Sequence, residues 1–255
     1  MSLAYLQNLG RTPYREAWEL QRALAAAVSQ GAIPDTIVLV EHPPVITLGR
    51  RAGDDELHVP DGAEVDVVET DRGGRSTYHG PGQLVAYPIL DLNRHGRDVR
   101  KYCRDLEGAV IRTLAAFELE ATRLEGLTGV WLKRPPRKIC SIGVHISRWI
   151  TTHGYALNVD LDPAPFTEWI TACGLEDASF TTMTRELGRP LTVDEVRPAA
   201  AAALAEVFGL ALEELPAEEG AGLWAQPAHE RIAAKPMRAT RSGEAIGVEQ
   251  VPARS

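Results

Sequence analysis

Apolar residues recur along the chain in short alternating runs, with fewer and longer runs at helical spacing between them. Residues 3–9 alternate as a short strand. Trp18, Leu20, Leu24, Ala27 and Val28 then follow a helical period, with Thr12 as the expected capping hydroxyl, Pro13 at the first helical position and Gly31 as the stop. Residues 36–41 are β-branched and apolar, which predicts a buried strand; His42-Pro43-Pro44 breaks it, and residues 45–48 resume as a strand closed by Gly49-Arg50-Arg51. Residues 52–62 are polar without a period and predict a loop, and residues 65–70 alternate as a strand. A glycine-rich loop and a short apolar strand fill residues 71–92, followed by a polar turn at 93–98.

From about Val99, the spacing of Cys103, Leu106, Val110, Leu114 and Phe117 makes one apolar helical stripe. Residues 128–132 predict a strand and 133–137, with two prolines, a turn. Ile142, Val144 and Ile146 alternate as a half-buried strand, and residues 149–160 read as its hairpin partner. Residues 165–172 predict a short helix, directly followed by Cys173-Gly174. Thr192 and Glu195 form a capping box that opens a helix running to Phe208, with Gly209 as its stop. Residues 216–255 lose periodicity and are expected to be a poorly packed tail. Strands and helices mix without strict alternation, so the expected class is α+β (an α/β mixed sheet) in one domain, residues 1–215.

Composition narrows the function. A chain of 255 residues with a net charge of −8 lacks the basic surface that general nucleic-acid binding needs. It has no apolar run long enough for a membrane span and no basic, apolar leader at residues 1–6, so a cytoplasmic protein is expected. The three cysteines, Cys103, Cys140 and Cys173, have no spacing that suggests a disulfide framework or a metal motif, and the seven histidines include no H-x-x-x-H pair. No metal is expected. Cys103 lies on the helical stripe and reads as a small buried hydrophobe.

Candidate chemistry concentrates in two stretches and one cysteine. The loop at residues 71–83 combines four glycines with Arg72, Arg75, Tyr78, His79 and Gln83, and fits neither the dinucleotide nor the P-loop glycine spacing. Lys138 opens a hairpin strand and is one of only four lysines beside 23 arginines; a lysine can lose its proton when desolvated, whereas an arginine cannot. Cys173 is a candidate nucleophile, because a thiolate is the natural attacker of a thioester, provided a nearby cation or base activates it.

These residues resemble a known family. Arg72-Gly73-Gly74, then Thr77-Tyr78-His79-Gly80-Pro81-Gly82-Gln83, then Tyr87-Pro88, resembles the signature of the lipoyl/octanoyl transferases, which move octanoyl groups from acyl carrier protein to proteins. Glu41-His42-Pro43-Pro44-Val45 with Gly49-Arg50 is similar to a second signature, and Lys138-Ile139 before Ile142-Gly143 and Cys173-Gly174 match two more elements; the likeness spans about residues 3–210.

The resemblance implies the fold of biotin/lipoate protein ligase catalytic domains and a Cys173/Lys138 dyad. Lys138 would lower the Cys173 pKa or take its proton, and Cys173 would hold the octanoyl group before a lipoyl-domain lysine accepts it. It also implies an acyl pocket lined by Arg72, Gly73, Gly74, Arg75, Ser76, Thr77, Tyr78, His79, Ser141, Ile142, Gly143, Gly154, Tyr155 and Ala156. Small Gly154 and Ala156 would suit an alkyl slot, His79 would orient the dyad or assist proton transfer, and N–H groups near Gly143 or in the glycine loop would hold an oxyanion. No cofactor is implied. The implied partners are octanoyl-acyl carrier protein, the lipoyl domains of 2-oxoacid dehydrogenase E2 subunits and the glycine cleavage H protein, met by a monomer. Arg50, Arg51, Arg75 and Arg148 are the basic residues expected to meet an acidic carrier.

Three positions depart from the family pattern. Ala172 replaces a usual proline, Cys140 replaces a small residue and places a second thiol in the same stretch as Lys138, and Phe180-Thr181-Thr182-Met183 follows its segment loosely. The rival readings are an ATP-dependent lipoate–protein ligase, which needs no cysteine, an amidotransferase that needs a lipoylated donor, and a non-catalytic acyl-carrier-binding module.

Overall fold

The structure is a computed structural model that describes residues 1–133, 135–171 and 179–215. The expected tail at 216–255, Ala172 and the Cys173-Gly174 pair lie outside the described residues.

Two seven-residue strands form the centre: β2 (Asp35–Glu41) and β6 (Gln83–Ile89), every residue of which is buried. Their side chains alternate between two cores. Ile37, Leu39, Leu84 and Ala86 enter one, and Val38, Val40, Val85 and Tyr87 enter the other. Around this pair an eight-stranded sheet runs in the order β11-β1-β2-β6-β10-β9-β8-β7. The remaining members are β1 (Ser2–Arg11), β7 (Ala121–Leu124), β8 (Leu127–Leu132), β9 (Arg137–Ser147), β10 (Ile150–Asn158) and β11 (Leu210–Glu214). The sheet is parallel where β1 meets β2 and β11, and antiparallel from β2 to β7.

One face is covered by α2 (Val99–Ala115) and α5 (Val193–Phe208), whose Leu106, Val110, Val196 and Leu204 complete the first core. On the other face α1 (Tyr14–Ser29) lays Ala17, Leu20, Leu24 and Val28 over the second core. A three-stranded sheet, in the order β4 (Asp66–Glu69), β3 (Val45–Leu48), β5 (Ser76–His79), closes a third core with the four-residue helix α3 (Pro165–Glu168).

The expected single mixed-sheet domain is present, with local differences. Thr12 does not cap α1: Pro13 holds the cap position, and the Thr12 hydroxyl donates instead to the Leu9 carbonyl at 2.9 Å. Part of the expected glycine loop is strand β5, because Ser76–His79 pair with β3. The expected loop at 52–62 contains a 3-10 turn, Asp54–Glu56. The edge strands β7 and β11 and the short helix α4 (Met183–Leu187) were not anticipated from periodicity. No helix of the described residues is long and apolar enough to cross a membrane.

Candidate active site

A cavity of about 60 Å³ lies between the large sheet and β5, with Tyr14 at the start of α1 in its wall. Its walls come from β5, β6, β9, β10 and the loop that holds Arg72 and Gly74. It therefore lies on the side of the sheet that α1 covers only in part.

Lys138 lines this cavity and is 3% exposed. Its Nζ lies 5.4 Å from the centre of the Trp131 ring. Its backbone pairs with the chain beyond residue 178. The Lys138 N–H donates to the Ser179 carbonyl at 2.7 Å, and the Thr181 N–H donates to the Lys138 carbonyl at 3.0 Å. Arg137 grips Glu186 through two 2.8 Å bonds, and the Thr181 hydroxyl donates to the same carboxylate at 2.5 Å, which secures this pairing.

A hydrogen-bonded chain connects the glycine loop to that pairing. Asn158 donates to the Thr181 carbonyl at 3.1 Å and accepts from the Gln83 amide at 2.9 Å. The Gln83 oxygen is thus left to accept from His79 Nδ1 at 2.7 Å. His79 Nε2 is then bare and faces the Thr47 hydroxyl at 3.4 Å. Burial holds the His79 pKa well below its ordinary value, helped by the nearby His42 and Arg72, so the ring is neutral.

Two further histidines share this design. His42 Nδ1 donates to the Thr12 carbonyl at 2.7 Å, so Nε2 accepts from the Tyr87 hydroxyl at 2.8 Å. Burial depresses the His42 pKa to about 4, against the opposing Thr12 carbonyl and Glu41 charge. His153 Nε2 donates to Asp71 at 2.7 Å, and its Nδ1 accepts from the Tyr14 hydroxyl at 3.3 Å. Burial also lowers the His153 pKa, and Asp71 recovers only part of it. Asp71 itself stays below the usual carboxylate range: burial pushes it up, but the His153 hydrogen bond and the nearby positive groups outweigh that. His153 has φ +57, and its N–H donates to Gln21 of α1 at 2.7 Å, which holds the ring toward the cavity.

Arg72 is buried and anchored, not presented to solvent. Its guanidinium donates to the Thr47 carbonyl at 2.5 Å, to the Thr47 hydroxyl at 2.8 Å and to the Gly73 carbonyl at 3.1 Å. Glu56 likewise holds the opposite wall. It accepts from Arg75 at 2.8 Å, from the Ser76 N–H at 3.0 Å and from the Ser76 hydroxyl at 2.6 Å. Burial raises the Glu56 pKa, but these donors bring it below its ordinary value.

Of the expected pocket residues, Arg72, Gly74, Arg75, Ser76, Thr77, His79, Ser141, Ile142, Gly143, Gly154, Tyr155 and Ala156 line the cavity with Lys138. Gly73 and Tyr78 do not line it. Tyr78 points from the other side of β5 into the third core, against Phe166 and Trp169, and the Gly73 N–H is spent on the Val144 carbonyl at 2.9 Å. The Gly73 and Ser76 N–H groups are therefore not oxyanion donors. Ile142 and Tyr155 line the cavity although their side chains pack in or against the helix-side core.

Gly154 is small for a different reason than an alkyl slot. A Cβ there would stand 2.1 Å from the Ala86 carbonyl oxygen of β6. Cys140 belongs wholly to the helix-side core, and burial pushes its thiol pKa far up, so it is an inert neighbour and not a competing nucleophile. Cys173 lies outside the described residues.

The structure adds Tyr14, Val85, Tyr87 and His153 to the cavity wall. Their signal in the sequence is position: Tyr87 and His153 stand inside or beside the motif runs, and Tyr14 opens the helix that follows Pro13. Among the described residues no cluster of His, Cys, Asp and Glu could hold a metal ion.

The chain matches the family of the lipoyl protein ligase A/B catalytic domain over residues 13–205. It is 50% identical over 208 residues to an octanoyltransferase of Chloroflexus aurantiacus, covering 79% of this chain and 92% of that one. It is 50% identical over 206 residues to an octanoyltransferase of Mycobacterium tuberculosis, covering 80% and 86%. Among solved structures, the fold is similar to a bipartite lipoate protein ligase of Thermoplasma acidophilum, with a TM-score of 0.69 at 18% identity over 88% of this chain and 91% of that one.

Proposed function

The chain belongs to the lipoyl protein ligase A/B catalytic-domain family, and from that membership we propose how its residues carry out the reaction. The reaction is octanoyl transfer in protein lipoylation. The donor is octanoyl-acyl carrier protein, and the acceptors are lysines of lipoyl domains, those of 2-oxoacid dehydrogenase E2 subunits and the glycine cleavage H protein. The working unit is residues 1–215; monomeric state and cytoplasmic location are part of the same proposal.

In the first half-reaction Lys138 takes the proton of the Cys173 thiol. The thiolate attacks the thioester carbonyl carbon, the carbon–sulfur bond to the carrier breaks, and the carrier thiolate leaves with the proton returned by Lys138. In the second half-reaction the acceptor amine attacks the Cys173 thioester, an amide forms, and the amine proton passes through Lys138 to the departing Cys173 thiolate. Exchange between two thioesters is close to energetically neutral, so the enzyme need supply only activation and alignment.

The observation that carries this reading is where the flanks of residues 172–178 are held. On one side the Thr171 N–H donates to the Glu56 carbonyl at 3.0 Å, and the Thr171 carbonyl lies 3.4 Å from the Ser76 hydroxyl oxygen, whose proton goes to Glu56. On the other side Ser179 pairs with Lys138. Ser76 and Lys138 both line the cavity. Cys173 follows Thr171 by two residues, at most about 7 Å of chain.

The three buried histidines, of which His79 and His153 line the cavity, support Lys138 as the proton carrier. Each ring has one nitrogen fixed as a donor, to Gln83, Thr12 or Asp71, and the other facing a hydroxyl. Their role is to fix the walls, and His79 orients the Lys138 region through Gln83 and Asn158. The alkyl chain enters beside Ala156 and Gly143; at about 0.8 kcal/mol per buried methylene, each carbon changes affinity about fourfold.

The test is transfer to a purified lipoyl domain under two conditions. Octanoyl-acyl carrier protein without ATP is expected to modify the domain, and free octanoate with ATP is not. Modification only in the second condition would make the chain a ligase.

A further inference from the structure

Lys138 reaches the cavity because β9 is irregular beside it. Side chains alternate along a strand, so Lys138 would share a side with Cys140, against α2 and α5. The pairing with β8 prevents this. Val130 stands opposite Cys140, but Trp131 stands opposite Lys138, so Ile139 is an extra residue in β9. Ile139 and Cys140 are consecutive, yet both are fully buried in the helix-side core. That is the signature of a β-bulge, which re-aims the residues beyond it. Lys138 is thereby turned to the cavity side with Trp131.

The partner strand is shaped to match. Gly129 of β8 has φ +120, a conformation that side chains resist. A Cβ there would stand 2.6 Å from the Cys140 carbonyl oxygen and 2.9 Å from Lys138 Cε. The missing side chain is the space in which the Lys138 stem lies. The Gly129 N–H donates to Glu107 Oε1 at 3.2 Å, and Glu107 Oε2 accepts from Arg123 at 2.9 Å. Glu107 is buried in the middle of α2, beside Leu106 and Val110. A carboxylate in such a place is costly unless its partners repay it.

We propose that Glu107 is a positioning residue for octanoyl transfer: by holding the Gly129 N–H it fixes the backbone opposite the bulge and keeps open the gap that directs Lys138 into the cavity. This rests on the reading of Lys138 given above. The simpler alternative is that Glu107 only ties α2 to β7 through Arg123.

The full-length chain separates the two. The readout is the pH at which Cys173 alkylation by iodoacetamide is half-maximal, followed on the Cys173 peptide by mass, with kcat and KM for octanoyl transfer measured beside it. Lys138→Ala sets the size of the effect, an upward shift of about one pH unit or a tenfold slower reaction near neutral pH. Folded Glu107→Leu and Gly129→Ala are expected to shift at least half as far and to lower kcat more than they change KM. Glu107→Gln, which keeps an oxygen for the Gly129 N–H, is expected to recover at least half of the lost rate.

A folded Glu107→Leu with the parent profile, beside a shifted Lys138→Ala, overturns the positioning role and leaves Lys138 in place. An unshifted Lys138→Ala removes the Lys138 role and this inference together. If Glu107→Leu does not fold, Gly129→Ala decides the question, since it keeps the carboxylate and its ion pair. If neither folds, Glu107→Gln decides it: a shift as large as that of Lys138→Ala overturns the proposal.

Discussion

Strands β9 and β10 have two buried faces with opposite chemistry. On the helix side, Cys140, Tyr155 and Leu157 pack with α2 and α5 into an apolar core. On the other side, Ser141, Gly143, His153 and Ala156 border a cavity whose polar groups are joined into chains. Burial does not distinguish the two, since Cys140 is 0% exposed and His153 1%. Partners set particular groups apart: the Tyr155 hydroxyl on the helix side, and Gln21 Nε2 and Trp131 Nε1 on the other, have no hydrogen-bond partner among the described residues, whereas His42, His79 and His153 each have both ring nitrogens engaged. A buried polar group with its partners in place can be held in one protonation state and one orientation, which is what a reaction site requires.

The largest expected break of this contrast is at Lys138. Lys138→Ala is expected to lower kcat for octanoyl transfer about 10²–10⁴-fold, the usual range for loss of a positioned acid–base group, with the chain still folded. A variant within twofold of the parent would remove the lysine from the mechanism.

Acid is expected to act on the cavity side before the helix side. His42 is neutral in the folded chain, with its pKa lowered from 6.5 to about 4 by burial, and it is free to protonate once unfolded. The unfolded state then binds more protons below pH 6.5, so stability is complete above that value and falls as pH drops toward 4. His42 alone accounts for about 3 kcal/mol of this loss, and His79 and His153 act in the same direction. Denaturant midpoints from pH 7 to pH 4 should therefore fall steeply in the parent and less steeply in His42→Gln. Equal slopes would contradict the neutral-histidine assignment.

Asn158→Leu strands the Thr181 carbonyl and leaves the Gln83 amide only its long bond to the Tyr78 carbonyl at 3.4 Å, and is expected to cost about 1–3 kcal/mol of stability with a loss of transfer rate. The smallest effect is expected on the helix side. Tyr155→Phe removes a hydroxyl with no partner, so its unfolding midpoint should equal or slightly exceed that of the parent, by up to about 1 kcal/mol. A clear loss of stability there would show that the hydroxyl is paired after all.

Elements with a complete local signal were legible in the sequence. Val45–Leu48 is a strand as its β-branched pattern predicts, and the Thr192–Glu195 capping box and Gly209 bound α5. Elements that exist through distant pairing were not. β11 is a strand because it lies beside β1, and Ser76–His79 become a strand by pairing with β3, although their glycine-rich surroundings read as loop. Thr12 carries the right residue type for a cap, but its hydroxyl turns back to Leu9.

At the site, the motifs gave most of the residues that gather around the cavity. They could not tell that Tyr78 faces away, because one step of strand parity decides it. Nor could they tell which side Lys138 takes, since that depends on one extra residue in β9. The size of Gly154 suggested room for a ligand, whereas the neighbouring β6 backbone is what requires it.

The central claim is that an octanoyl group passes through Cys173 under the control of Lys138. Intact mass after incubation with octanoyl-acyl carrier protein, with the modified peptide then sequenced, tests it most directly. The expected result is a single octanoyl adduct on Cys173 in the parent, none in Cys173→Ala, and slow formation in Lys138→Ala. An adduct that persists in Cys173→Ala, or octanoyl transfer to a lipoyl domain by Cys173→Ala at the parent rate, would contradict it.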